Sequence, residues 1–496
     1  MAGPEPFIEL SSITKRYAGV TALDSVDFAV SPGEAVCIAG ENGSGKSTLI
    51  KIISGVEQPT EGTIRIGGET IASNAPRLAA DKGVMVIFQD FSLFPNLSVA
   101  ENIAFPTQMS AGRRFFDRSG ARKAAAAVLD RIGVSIPLGT RVEDLPVAQK
   151  QLVAIARALA SDAQLIIMDE PTTALTEKEV ARLLGIIRKL KDDGVAVIFV
   201  SHKLAEVLEV SERVVVLRNG HKVAEGPAAE FDAASLTYHM TGRDVPEETP
   251  APLAAGAARL MDVSNLNKEG VFSDISFTLR EGEILGITGL LGSGRTSLAK
   301  ALFGLVQPDS GSLTVDGQTV PLGDPIATAV ARIGYVPEDR LTEGLFLTQS
   351  IIRNVAVGRL DAHSQRGVLN RPALFREASD WIGRLKVKAP DFEAAVTSLS
   401  GGNQQRVALA RWLSREPRVL ILNGPSVGVD VGSKADIHAI IRDLAEHGIG
   451  VIVISDDLPE LLTTCHRILV MREGRITDEL DRQATNEDDL SHRLAS

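Results

Sequence analysis

The chain is short of cysteine, of basic charge and of long apolar runs. Its two cysteines are Cys37 and Cys465, so no disulfide framework and no disulfide partner are expected, and a reducing compartment is the simpler setting. The formal net charge is −11, which speaks against a general nucleic-acid binder, because such a protein needs a basic face. No stretch reaches the roughly 18 uncharged apolar residues that a membrane helix requires. Met1 to Glu9 holds no basic residue and no apolar run of signal-peptide length. The expectation is a protein made and kept in the cytosol, able to sit on a membrane protein.

What is present is a globular composition, 44% hydrophobic and 23% charged, in a chain too long for one core. Several elements recur at a constant interval. Leu145 and Leu399, Asp169 and Asn423, and His202 and Asp456 are each 254 positions apart (399 − 145 for the first pair), which predicts two similar domains. Short apolar runs alternate with helical patterns, the mark of an α/β fold with a largely parallel sheet. Strands are predicted at 35–39, 165–168 and 195–200, with a helix over 47–53 and a helical insertion between 93 and 145. The second half repeats this with strands at 283–287, 419–422 and 450–454 and helices from 296 and across 371–385. Pro246, Pro250 and Pro252 mark 242–259 as a linker between domains at 5–241 and 260–496.

Gly40-Glu41-Asn42-Gly43-Ser44-Gly45-Lys46-Ser47, after a predicted strand and before a predicted helix, is a complete phosphate-binding loop. Glycines let backbone N–H groups wrap phosphates, and the helix N-terminus adds a favourable field. Lys46 would neutralise the β- and γ-phosphates and Ser47 would ligate Mg²⁺. Gly40, Asn42, Gly43, Gly45 and Thr48 complete the expected nucleotide contacts. Leu165 to Met168 runs into Asp169, which would hold Mg²⁺, and Glu170, which would accept a proton from the attacking water. Gln89 follows a strand predicted at 84–88 and would touch Mg²⁺ and that water. His202 follows the strand that ends at Val200 and would bond the γ-phosphate. Tyr17 reads either as a stacking platform for the adenine ring or as a turn residue.

The second half carries Gly289-Leu290-Leu291-Gly292-Ser293-Gly294-Arg295-Thr296, with arginine in place of the lysine. Asn423, Gly424 and Asp456 stand where Asp169, Glu170 and His202 stand in the first half, and Glu338 stands at the position of Gln89.

This order of motifs resembles the ABC (ATP-binding cassette) ATPases. Leu399-Ser400-Gly401-Gly402-Asn403-Gln404-Gln405 looks like that family's signature, with its serine and glycines opening a helix over 405–413. The resemblance covers nearly the whole chain. It implies two tandem cassettes, each with a RecA-like core and a helical subdomain, packed head to tail around ATP with Mg²⁺, each signature acting on nucleotide held by the opposite cassette. The nearest match is to the fused two-cassette subunits of bacterial carbohydrate importers of the ribose, galactose and xylose type. Gly289-Leu290 with Gly294-Arg295-Thr296, Tyr335-Val336-Pro337-Glu338-Asp339-Arg340, Asn403, Gly428-Val429-Asp430-Val431-Gly432 and Met240-Thr241-Gly242-Arg243 carry it. That subfamily implies a peripheral protein at the cytoplasmic face of the inner membrane. Its partners would be two membrane-spanning permease subunits and a solute-binding protein, not nucleic acid.

Paired across cassettes, one composite site is complete: Lys46, Ser47, Gln89, Asp169, Glu170 and His202 with Ser400, Gly401 and Gly402. The other joins Gly289, Gly294, Arg295, Thr296, Glu338, Asn423, Gly424 and Asp456 with a first-half signature reduced to Leu145-Pro146-Val147-Ala148-Gln149. Pro146 has neither hydroxyl nor N–H, and a lost general base commonly removes about 10²–10⁴ in rate. The subfamily usually keeps the acidic pair in its second cassette, so Asn423 and Gly424 go beyond it. The expectation is one hydrolytic site and one silent site. The rival reading, a soluble two-cassette ATPase acting on ribosomes, requires a long basic linker, and 242–259 is short and proline-rich.

Overall fold

Apolar runs without polar alternation belong to strands covered on both faces, and each half of the chain supplies a set of them. Every residue of Ala35–Ala39 and Ala196–Val200 is buried, and all but the last of Leu165–Asp169. The computed structural model describes all residues except 1–4, 89, 111–115, 173–174, 176, 202–207, 210, 245–247, 291 and 496. The chain divides into two units, Met1–Val245 and Pro246–Ser496.

In the first unit the apolar strands form a six-stranded sheet. Its order is His221–Pro227, Arg213–Arg218, Ala35–Ala39, Ala196–Val200, Leu165–Asp169, Val84–Ile87. Neighbours are parallel except at the His221–Pro227 edge. The second unit repeats it as Ile333–Val336, Val419–Asn423, Gly450–Ile454, Ile284–Gly289, Arg467–Arg472, Arg475–Asp481. Side chains alternate between its two faces, as the pleat requires. Leu420, Leu422, Val451 and Val453 pack with the helices Gly401–Leu413 and Val431–Glu446, whereas Val419, Ile421, Ile452 and Ile454 pack on the other side, with the helix Arg295–Leu302.

That other side is covered by an element the sequence does not announce. Each unit has a four-stranded antiparallel sheet, ordered Val20–Val30, Ile8–Tyr17, Glu61–Ile66, Glu69–Ile71 in the first and Phe272–Arg280, Arg259–Lys268, Ser310–Val315, Gln318–Val320 in the second. Register shifts interrupt the pairing of Ile8–Tyr17 on both sides, and such bulges break the period-2 pattern by which half-buried strands are read. The helical insertion is present as Val99–Ser110 and Arg118–Arg131, and a third helix, Val147–Ala160, beyond the predicted limit at 145, packs on both. Gly242, at φ 76°, closes the helix Ala233–Thr241 by donating to the Tyr238 carbonyl at 2.7 Å.

Strand register aligns the parts of the site. Ile38 and Asp169 both pair with Val200, and Ile287 and Asn423 both pair with Ile454. The carboxyl ends of three strands are therefore level in each unit, and ligands of doubly wound sheets bind at this edge.

Candidate nucleotide site

Gly40, Gly43 and Gly45 all have positive φ, at 151°, 82° and 107°, a region closed to most side chains. At Gly40 a Cβ would overlap the Leu217 carbonyl, and at Gly45 it would lie 2.7 Å from the Ala22 carbonyl. Gly45 also caps the helix Lys46–Ile53 without a side chain, which leaves the first-turn N–H groups open to an anion. Lys46 is 7% exposed. Its ammonium donates to the Gly40 carbonyl at 2.6 Å and to that of Glu41 at 2.9 Å. The Ser44 hydroxyl is buried and has no hydrogen-bond partner among the described residues. Asn42, Gly43 and Ser47 lie on the exposed surface of the loop.

Asp169 ends its strand half-buried, and Glu170 follows at φ 48° with its N–H bonded to the Val200 carbonyl at 2.9 Å. Burial raises the Asp169 carboxyl above the ordinary aspartate value; the neighbouring Glu170 charge adds to this and Lys46 opposes it. Tyr17 is 41% exposed at the end of Ile8–Tyr17, with the Lys15 ammonium 5.0 Å from its ring centre. Gln89 and His202 lie outside the described residues.

The second unit keeps the backbone and changes the chemistry. Gly292 and Gly294 repeat the positive φ of Gly43 and Gly45, at 86° and 92°. Gly289 is packed as tightly as Gly40, its missing Cβ facing the Met471 carbonyl at 2.5 Å. Arg295 Nη1 donates to the Gly289 carbonyl at 2.8 Å, taking over the bond that Lys46 makes to Gly40. Its Nη2 lies 3.1 Å from Asp456 Oδ2, the arginine side chain 12% exposed and the aspartate 72%. Two substitutions that the sequence shows separately thus meet in one ion pair. The helix begins at Arg295, one residue before the predicted start. Asn423 is 2% exposed, with its side chain beside the buried Tyr335 hydroxyl. Gly424 holds φ 60°, close to that of Glu170. A Cβ there would stand 2.8 Å from Val427 Cγ2 and 3.0 Å from Glu338 Cγ. Glu338, with Thr296 and Asn423, lines a cavity of about 360 Å³ beside the loop.

The signature turns differ in the same way. Pro146 caps Val147–Ala160 at φ −58°, ψ 155°, and Ser400 caps Gly401–Leu413 at φ −63°, ψ 158°. The backbones match, while the hydroxyl and the N–H are present only in the second unit. The helix starts at Gly401 and not at Gln405 as predicted, because Ser400 is the extended residue and the glycines already turn. A Cβ at Gly402 would overlap the Ser433 side chain, so these glycines are required by packing as well.

Sequence reasoning passed over Arg157 and Arg411, which share the 254-residue interval (411 − 157). Arg157 donates to the Ser92 and Phe91 carbonyls at 2.7 and 2.9 Å, pinning two residues at φ 45° and 60°. Arg411 donates to the Gly344 and Asn354 carbonyls at 2.6 and 2.7 Å. The repeat interval was the signal that could have found them.

Among the described residues no three His, Cys, Asp or Glu side chains gather to hold a metal, and no helix is long and apolar enough to cross a membrane. The chain matches the family model described as ABC transporter at residues 23–173 and 272–427. It is 42% identical to the ribose import ATP-binding protein RbsA 2 of Streptomyces avermitilis, the match spanning 98% of this chain and 97% of that protein. It is 40% identical to a putative ribose/galactose/methyl galactoside import ATP-binding protein of Pseudomonas syringae pv. tomato, over 99% of this chain and 93% of that protein. Among solved structures, the ATP-binding cassette MJ0796 bound to ADP and Pi covers 45% of this chain and 98% of its own, at 30% identity and a TM-score of 0.41. Since the family match falls on both halves and these relatives run the length of the chain, the chain belongs to the ABC transporter family, with two of its cassettes in tandem.

Proposed function

We propose that this chain is the ATP-hydrolysing subunit of a bacterial importer for a monosaccharide or related polyol, working at the cytoplasmic face of the membrane with two permease subunits and a solute-binding protein. Hydrolysis takes place at one site, built from Lys46, Ser47, Asp169 and Glu170 of the first cassette and Ser400, Gly401 and Gly402 of the second, with Gln89 and His202 completing the set. The relatives named for ribose and galactose import support the cargo class. One observation carries the single-site reading: equivalent strand ends, in the same register and with the same left-handed turn, hold Asp169-Glu170 in one unit and Asn423-Gly424 in the other.

Lys46 and the open N–H groups of Lys46–Ile53 bind and neutralise phosphate. Glu170 accepts a proton from water as it attacks. Ser400 contributes a hydroxyl from the opposite cassette. Mg²⁺ fits the donor set: the Ser47 hydroxyl and the Asp169 carboxylate would hold it as two oxygen donors, the number this cation takes from protein when phosphate and water supply the rest. When bound, Mg²⁺ supplies charge neutralisation on the phosphates. Closure of the cassettes is passed on through the loop at Phe91 to Phe94, whose Phe94 is exposed and which Arg157 fastens to the signature helix.

Steady-state ATPase measurements test the assignment. Glu170→Gln lowers turnover by about 10²-fold or more, whereas Asn423→Asp with Gly424→Glu leaves it nearly unchanged. Intact turnover in Glu170→Gln overturns the site.

A further inference from the structure

Three segments of the second cassette that function has not yet absorbed meet at one turn. They are the Glu338-Asp339-Arg340 segment, the Val427-Gly428 loop and Asn403. Arg340 reaches across the cavity. Its Nη1 donates to the Val427 carbonyl at 2.6 Å, its Nη2 to the Gly428 carbonyl at 3.0 Å, and its Nε faces Gln404 Oε1 at 3.4 Å. Asp339 caps the turn that carries it, accepting from the Leu341 and Thr342 N–H groups at 3.0 and 3.1 Å. Gly401 lies under the clamp: a Cβ there would be 2.5 Å from the Gly428 carbonyl and 2.8 Å from Arg340 Nη2.

The second anchor acts on Ser400. A serine at this position ordinarily spends its oxygen on an N–H of the first helical turn, but Ser400 makes no such bond. Instead Asn403 Nδ2 donates to Ser400 Oγ at 2.9 Å, while Asn403 Oδ1 accepts from the Lys388 N–H at 2.8 Å. The second bond fixes which way the amide points. Ser400 Oγ, occupied as an acceptor, keeps its proton to give away, and the N–H groups of the first turn are left without a side-chain cap.

We propose that Arg340 and Asn403 are positioning residues that hold the signature turn ready for phosphate, so that the silent cassette serves as a rigid scaffold for the active one. This rests on the single-site reading above. With the turn pre-set, nucleotide binding does not have to order it; without the anchors, that ordering is charged against binding.

The test is ATPase kinetics of the full chain carrying Arg340→Met, Asn403→Asp or Ser400→Ala, each with a thermal melt to establish folding. Asp at 403 is isosteric but accepts from the serine and turns its proton inward. Both anchor variants raise KM for ATP about tenfold, with kcat changed less than about threefold, the pattern of lost uniform binding. Asn403→Asp adds nothing further to Ser400→Ala, because both act through one hydroxyl. A lowered kcat at unchanged KM means only fewer active molecules and overturns the proposal, as does additivity with Ser400→Ala. If Ser400→Ala itself leaves kcat/KM intact, it is the cross-cassette site that fails.

Discussion

At the scale of single residues, the two cassettes differ by exchanges of charge on a conserved backbone. Asp169 is half-buried beside Glu170, and its raised pKa follows from burial first and from that neighbour second. A raised carboxyl pKa means that the anion needed by Mg²⁺ is lost on acidification at a higher pH than for an ordinary aspartate, whose value is 3.8. Binding of Mg²⁺-nucleotide, followed by fluorescence of a labelled analogue, therefore weakens as pH falls through a limb above that value. In Glu170→Gln the repelling charge is gone and the limb moves to lower pH. Asp169→Asn removes the limb. In the second cassette, Arg295 and Asp456 pair with one another, but with Asp456 so exposed the pair is worth at most about 1 kcal/mol. It explains how the loop keeps its shape, not the stability of the fold.

At the scale of elements, buried polar links fasten the helices that frame the second site. Glu460, on Leu458–Thr464, is 1% exposed. It accepts from Ser455 at 2.6 Å and is 2.9 Å from His438 Nε2 of Val431–Glu446. Burial alone would raise its pKa, but the His438 bond, Lys434 and the Ser455 hydroxyl outweigh it and lower the value to about 2. A depressed carboxylate stabilises the fold fully above its unfolded pKa near 4.5, and the contribution disappears as pH falls toward 2. Urea unfolding tests this. His438→Ala strands a buried anion and costs roughly 3 kcal/mol at pH 7, and the gap to the parent chain narrows as pH falls toward 2, where the parent's Glu460 also takes up a proton. A gap independent of pH would remove the link. Arg157 and Arg411 are fasteners of the same kind, each tying a signature helix to the loop after an edge strand of its sheet.

At the scale of the whole molecule, the single-site reading predicts interdependence of the two units. Glu170→Gln in the first stops turnover, and Ser400→Ala in the second lowers kcat/KM. If one chain supplies both halves of its own site, mixing the two impaired variants gives no more than the sum of their separate rates, since neither contains an intact pair. Recovery of about a quarter or more of the parent rate on mixing, read by phosphate release, shows that the halves come from different chains, as in a head-to-tail assembly of two copies.

The two phosphate loops, the strand-end acids, the signature and the parallel sheets were legible in the sequence because each rests on local chemistry: glycines where φ must be positive, an apolar run where a strand is buried on both faces, a cap where a helix begins. The 254-residue interval added the two-cassette plan. The antiparallel sheets were not legible, since bulges scramble their alternation. Nor were the meetings of distant side chains: Arg295 with Asp456, Glu338 beside Gly424, and Arg340 and Asn403 on the signature turn. Those depend on strand order and register, which bring residues many positions apart within hydrogen-bond reach, and no one-dimensional pattern records that distance. The sequence by itself determined which groups each cassette has kept or lost; only the tertiary structure decided what the replacements touch.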